Sequence, residues 1–506
     1  MSSKKFNALA SERELFLERA RACSKLTLPM VIREKAHSGS STFAIPYQST
    51  GARGVSALSS NLLLSLFPAG VPFFRLLVSS SDFEEFGEDA ERIEQEVNDS
   101  LSDIERTVLE EIEGKNLRST IFEALKNLLI AGSTLVYVEP EGLIRNYTLE
   151  DFVVHRDISG NITDIIIKEC ISPRVAETLG IEVDLPSEGD DLDVNEDIDL
   201  FTIIELQSDG TYHQWQEVND KPLDTPEIFT KEDLPWLPLR LTKITGESYG
   251  RGYVEGVIGD LKALEGLSKA ILEASAIAAK TVFFVKPGTT TRAKDLTEAE
   301  NGDVINGDAS DVTTLNIGKG GDLNIALRAS EILQQRLSYS FNLLDSTLPT
   351  KGATTAYEVS QIVSSLEKVL AGVYAMLSSE FMAPLVNLII KRLEQNMTIH
   401  VIPPQVKLII STGVSALGRS SDIERIMQFA QLANQVSPEA YAGLLDHEKA
   451  LRELEAAIGV SVLKSRATVS QERAAAQAQQ AELQKKAEQE QQVRTLTEGM
   501  QSPEQQ

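Results

Sequence analysis

The chain has 506 residues, 42% of them apolar, with 48 Lys and Arg against 75 Asp and Glu and a formal net charge of −27. That length exceeds what one hydrophobic core usually supports, so two or more domains are expected, and the apolar content argues against disorder throughout. The charge disfavours a protein that grips nucleic acid by neutralising phosphates, although it does not exclude one that lets DNA pass.

In chain order, Ser11 through Arg33 reads as an opening helix that ends near Pro29 or soon after, followed by a polar Ser/Gly/Thr loop. The most apolar window is Leu62 through Pro68 with Val71 through Val78. Pro68, Pro72 and Arg75 interrupt it well short of the ~18–20 continuous residues a membrane span needs, so a buried helix plus strand is expected and no membrane. Residues 84–113 form an acidic helical stretch and 117–130 an amphipathic helix. Alternation over 136–138, 152–154, 162–168 and 201–206 predicts a small sheet in an α+β domain.

After Tyr249-Gly250-Arg251-Gly252, the residues Val254, Val257, Ile258, Leu261, Leu264 and Ile271 mark one face of a long helix. Glu255, Lys262, Glu265 and Lys269 oppose them, and the helix should end near Lys280. Short β-prone pieces follow at 281–285 and 311–315, punctuated by Pro287-Gly288, Asn301-Gly302 and Asn306-Gly307. A helical pattern returns at Ala326 and runs through Ile332, Leu333, Leu337 and Leu344. Residues 345–355 hold too much Thr, Pro and Gly to remain helical, and Thr355-x-x-Glu358 then reads as the capping box of a helix running toward Leu393, bent at Pro384. A second box, Ser421-x-x-Glu424, precedes Ile423, Ile426, Met427 and Leu432 on one buried side. Beyond Lys464 the Ala/Gln/Glu/Lys-rich sequence, with Ala474, Ala478 and Ala481 on one stripe, suits either a helical barrel shared with neighbours or a frayed tail.

Four stretches carry a resemblance. Ser248 through Lys262, Tyr47 through Val55 leading to Leu66-Phe67-Pro68, Ala131-Gly132 leading to Leu135 through Val138, and Ile410 through Gly413 leading to Ala416 through Arg419 are similar, in order and spacing, to the portal or head-to-tail connector proteins of short-tailed bacteriophages (podovirus type). Together they span most of the chain from about residue 10 to about 460.

The resemblance implies a mainly α fold with an α+β wing over 1–248, a first stem helix over 249–280, a β-containing clip over 281–325 and a second stem helix over 326–345. It further implies a channel loop over 346–355, a long kinked helix and wing return over 356–412, a helical crown over 413–464 and a helical or disordered tail over 465–506. The implied assembly is a ring of about twelve copies at one capsid vertex of the virion, made in the host bacterial cytoplasm. It passes double-stranded DNA during packaging and ejection and joins head to tail. Implied partners are a terminase packaging motor, a tail adaptor, and the major capsid and scaffold proteins.

On that reading Ser346, Thr347, Lys351 and Gly352 contact DNA, while Lys286, Arg292 and Lys294, cations in an otherwise acidic chain, dock the motor or the tail. The same loop also reads as an ordinary helix–helix connector. A negative lumen would keep phosphate contacts transient, although many carboxylates also suit a solvated outer surface.

Catalytic signals are poor, and no cofactor or metal is expected. The stretch Gly318-Lys319-Gly320-Gly321 lacks the spacing and hydroxyl of a phosphate loop. His37, His155, His213, His400 and His447 lack zinc-helix spacing, and no Gly-x-Ser-x-Gly elbow singles out a nucleophile. Asp191, Asp193 and Asn195 begin like a calcium loop, but Glu196 stands at the turn and Thr202 at the final ligand position, so a solvated acidic loop is expected. Cys23 and Cys170 are too few for a disulfide framework or a cysteine metal cluster and fit a reducing compartment, and the charged Ser11-Glu12-Arg13-Glu14 leaves no secretion signal. The alternatives are a virion scaffold protein without an axial channel and, more remotely, a metal-dependent nuclease.

Overall fold

The computed structural model describes residues 2–33, 42–68, 73–78, 90–172, 176, 198–218, 221–223, 225–278, 283–314, 320–343, 370, 372–399 and 406–410. The chain falls into two compact units, Met1–Leu417 and Gly418–Gln506. The second unit lies outside the described residues, as do the 346–355 loop, both capping boxes and most of the acidic run at 190–199.

Helix α1 spans Ser2–Lys25, so it starts before Ser11 and stops short of Pro29. Two hydroxyls close its end: Thr27 Oγ1 donates to the Cys23 carbonyl at 2.8 Å and Ser24 Oγ to the Leu28 carbonyl at 2.7 Å. Such side-chain bonds compete with further helical turns, and Leu28, preceding a proline, is disfavoured in the α region. The apolar window then forms helix α2, Thr50–Leu66, and strand β1, Phe74–Leu77, as the sequence predicts. Helices α3, Ala90–Gly114, and α4, Leu117–Ala131, follow.

The β-rich part comprises β2 Ser133–Val138, β3 Ile144–Tyr147, β4 Phe152–Arg156, β5 Ile162–Ile171, β6 Ile198–Leu206, β7 Tyr212–Val218, β8 Lys221–Pro222, β9 Glu227–Phe229 and β10 Trp236–Arg240. Strands β10, β2 and β3 form one antiparallel sheet, and β4 through β8 form another, with β9 added to β7. Pleating explains the unbroken Ile165-Ile166-Ile167. Ile165 and Ile167 join Leu17, Ala20 and Tyr249 on one face, whereas Ile166 joins Phe6, Val153 and Phe201 on the other. The sequence missed β3, β7, β8, β9 and β10: β3, β8 and β9 are two to four residues long, His213, Gln214 and Gln216 dilute the period-two signal in β7, and Pro238 sits within β10.

Helix α5 runs over Tyr253–Ala278. Strands β11, Phe283–Val285, and β12, Val312–Thr314, then pair around the short helix α6, Ala293–Glu298, which the sequence did not announce. Helix α7 covers Gly320–Ser340, starting earlier than Ala326. It ends because Asn342 adopts a left-handed φ of 53°, with Leu343 N–H donating to the Ser338 carbonyl at 2.8 Å and Asn342 N–H to Tyr339 at 3.1 Å, a Schellman ending.

Helix α8, Gly372–Gln395, continues through Pro384 with a π-helical turn at Ser378–Met382. Proline has no N–H for the Glu380 carbonyl, and the wider turn accommodates that loss. Among the described residues α8 is the one helix long and apolar enough to cross a membrane. Its Leu377, Phe381, Leu385 and Ile389 instead lie in the main core with α2, α4 and the ends of α5 and α7. The last described strand, β13, Lys407–Ile410, pairs with β1.

Candidate functional site

Three of the four segments that carry the sequence resemblance meet in space, where the two long helices leave the sheets, and the fourth lies outside the described residues beyond Ile410. Glycine makes the approach possible. Gly132 ends α4 with φ 79°, and a Cβ on Gly250 would lie 2.4 Å from the Gly132 carbonyl oxygen. A Cβ on Gly252 would lie 2.5 Å from the Ile130 carbonyl oxygen, so the Gly250-Arg251-Gly252 backbone sits against the end of α4. Ser133 Oγ accepts from Gly250 N–H at 2.8 Å, and Gly132 accepts from Leu241 N–H at 2.9 Å. Tyr249 is buried beside them, its hydroxyl accepting from Val154 N–H at 3.0 Å, and burial pushes its pKa up to about 12.

Arg251 points away from this contact and forms a bidentate pair with Glu247, at 2.9 and 2.6 Å, and a third bond to Glu255 at 2.8 Å. Its guanidinium lies 5.4 Å from the Phe16 ring centre, and that of Arg19 lies 4.7 Å from it. The start of α5 is thereby tied to α1 by charge and by cation–π contact.

The Tyr47–Val55 segment completes the joint. Glu265 on α5 accepts from Tyr47 N–H at 3.0 Å and Gln48 N–H at 3.2 Å. Gln48 donates to the Leu26 carbonyl at 2.7 Å and accepts from Gly51 N–H at 2.8 Å. Gly54 leaves the notch that Phe341 fills, since a Cβ there would lie 2.4 Å from its ring. Phe341 follows α7 and is fully buried, and the Tyr253 hydroxyl donates to the Ser340 carbonyl. Arg336 of α7 pairs with Asp260 of α5 at 3.0 Å.

The long helices are covered only near this joint. Leu261, Leu264 and Leu337 are fully buried, whereas Leu272 and Ile277 of α5 and Ile325 and Ile332 of α7 are 52–70% exposed. Between the helices, residues 283–314 bury no apolar side chain. That excursion is held instead by Thr291, whose hydroxyl accepts from Asp308 N–H at 3.0 Å and donates to Asp311 Oδ2 at 3.2 Å.

Lys286, Arg292 and Lys294 all lie on this excursion and are exposed. Lys286 follows β11, Arg292 caps α6, and Lys294 pairs with Glu298 at 3.7 Å. Ser346, Thr347, Lys351 and Gly352 lie outside the described residues. Gln48, Glu265 and the opposing glycines of the joint were not singled out as site residues. Their signal, Gly-x-Gly and Gly-x-x-Gly at element starts, announces close backbone approach but not its partner.

The family model for bacteriophage head to tail connecting protein matches residues 2–462, and the chain belongs to that family. It is 34% identical over 430 residues to the portal protein of Escherichia phage T7, covering 83% of this chain and 80% of that protein. It is 34% identical over 429 residues to the portal protein of Enterobacteria phage T3, with 83% and 79% covered, and 26% identical over 431 residues to that of Enterobacteria phage SP6, with 85% and 82% covered. Among solved structures, a chain in the neck of an empty gene transfer agent particle, computed with C6 symmetry, aligns over 80% of this chain and 90% of that one at TM-score 0.41 and 10% identity. A chain of the native gene transfer agent virion aligns over 81% and 89% at TM-score 0.39 and 10% identity. Likeness of that degree defines no fold.

Proposed function

We propose that each copy is one non-enzymatic subunit of a portal ring of about twelve copies, through whose axis the viral duplex passes during packaging and ejection. The ring sits at one capsid vertex and joins head to tail. One observation carries this reading: two long helices are braced at a single joint and left bare along their outer halves, where neighbouring copies would cover Leu272, Ile277, Ile325 and Ile332. The family relationship and the names of the relatives support it.

In this assembly the sheets and α1–α4 are the wing, α5 and α7 the stem, and the 283–314 excursion the clip. The clip meets the terminase motor and later the tail adaptor, with Lys286, Arg292 and Lys294 facing them. The 346–355 segment is the channel loop, where Ser346, Thr347, Lys351 and Gly352 touch passing DNA. A chain of net charge −27 keeps such contact transient. Assembly follows synthesis in the host cytoplasm, with capsid and scaffold proteins around the ring.

Native mass spectrometry and electron-microscope class averages of the purified protein test the ring. A closed ring with an axial hole wide enough for a duplex is expected; a closed oligomer without one would favour the scaffold alternative. Deleting Thr347 to Gly352 should leave the ring intact and impair DNA packaging or retention. Loss of assembly on that deletion would make the loop a structural connector.

A further inference from the structure

The 157–161 turn between β4 and β5 gathers cations from distant parts of the chain. Arg156 Nη1 donates to the Gly160 carbonyl at 3.0 Å, and its Nη2 donates to the Pro238 carbonyl at 2.7 Å. Lys231 Nζ donates to Asn161 Oδ1 at 3.3 Å. A Cβ on Gly160 would lie 2.9 Å from Lys243 Nζ and 3.7 Å from Arg240 Nη2. Four cations from β4, from the loop before β10, from the end of β10 and from the segment after it therefore meet at one turn.

Two carboxylates answer them. Asp157 accepts from Asn161 N–H at 2.8 Å and from its side-chain amide at 2.9 Å, and Glu380 accepts from Arg240 at 2.7 Å. Among the groups these contacts name, four cations stand against two carboxylates, in a chain whose total is −27. Burial, and then the neighbouring Arg240 charge, push the Arg156 pKa down to about 10. Lys231 and Lys243 are exposed, and at the tip Ile158 is 92% exposed.

We propose that this turn is a subunit docking surface whose occupant is an acidic face of a second copy of this chain, with Ile158 as apolar anchor and Lys231 and Lys243 as flanking cations. The proposal rests on the ring reading. In a ring, contacts are heterologous, so a basic patch on one copy meets a different surface on the next, and 75 acidic against 48 basic residues weight that surface toward carboxylates. Copies of charge −27 repel one another, and a local positive patch at the contact offsets that repulsion. Ile158 favours a protein over nucleic acid: an exposed isoleucine in the same turn needs an apolar counter-surface, which a phosphate backbone does not offer.

The test compares full-length wild type with Lys231→Glu/Lys243→Glu and with Ile158→Asp, reading ring formation by native mass spectrometry and sedimentation over a concentration series. Wild type should form rings, and each variant should need about tenfold more protein or higher to do so. The conservative Lys231→Arg/Lys243→Arg should assemble like wild type. Circular dichroism melts check the fold; should the double reversal melt early, Ile158→Asp, at a position exposed in the single subunit, carries the test. Rings of both variants at wild-type concentration would overturn the proposal. So would intact rings that lose only DNA packaging, which would assign the patch to phosphate. If wild type itself forms no ring, the ring reading fails and this surface fails with it.

Discussion

Gly250 and Gly256 lie six positions apart, with opposite consequences for a methyl group. At Gly250 the new Cβ would meet the Gly132 carbonyl oxygen at 2.4 Å and the Arg240 Cβ at 2.9 Å, both held by the backbone around them. At Gly256, on α5, nothing lies within 4 Å. Gly250→Ala should therefore destabilise the chain by about 1–3 kcal/mol through overpacking, whereas Gly256→Ala should be neutral or stabilise by up to about 1 kcal/mol through helix propensity. Denaturant midpoints of the two variants check this. Equal effects would mean that the Gly132–Gly250 contact does not constrain the fold. The need for small residues here was visible in the sequence, but which backbone each glycine approaches was not, because residues 132 and 250 are neighbours only after the sheets have formed.

At the scale of elements, residues 283–314 differ from the rest of the described fold. Their two-stranded ribbon, β11 with β12, is the kind of unit that is marginal by itself, and Phe283, Phe284 and Val304 are 53–100% exposed. Such an element contributes little to the subunit's own stability. Replacing it with a short flexible linker should leave the melting temperature of the subunit unchanged while abolishing motor or tail docking in a pull-down. Reversing the charges of Lys286, Arg292 and Lys294 should weaken docking without moving the melt. A marked fall in melting temperature on replacement would show that the excursion supports the core.

The helices that flank this excursion were legible from their 3.6-residue period, and β11 and β12 from their β-branched and aromatic content. Helix α6 was not, because six residues with no buried side chain leave no periodic signal. The early start of α7 was hidden for a related reason: Gly320 and Gly321 argue against a helix locally, and the structure overrides that preference.

Across the whole described unit, α8 is fastened to distant parts of the chain by charge as well as by its apolar face. Glu380 in the π-turn pairs with Arg240 of β10 at 2.7 Å, Lys391 with Asp233, and Arg392 with Glu111 of α3. Arg240 is 3% exposed, so removing its carboxylate leaves a buried cation beside the half-buried Arg156. Glu380→Gln should cost about 3 kcal/mol. The double variant Arg240→Met/Glu380→Leu should recover much of that loss, because it removes both desolvated charges together. Denaturant unfolding of both variants is the check, and a neutral Glu380→Gln would show that the pair is solvated in the protein. No sequence pattern joins positions 240 and 380, which makes this pair a product of tertiary structure.

By itself the sequence determined the succession of long helix, β-type excursion and long helix, the apolar window that ends α2 and forms β1, and the positions of β2, β4, β5 and β6. It also determined the family, because its four quoted segments keep order and spacing. Hydrophobic period and turn chemistry are local, and local signals survive being read along a line. The tertiary structure alone decided that three of those segments close on one another around Gly132, Gly250 and Glu265, and that four cations converge on the 157–161 turn of an acidic chain. Each of these depends on contacts between residues far apart in sequence, whose free energy exists only once the chain has folded.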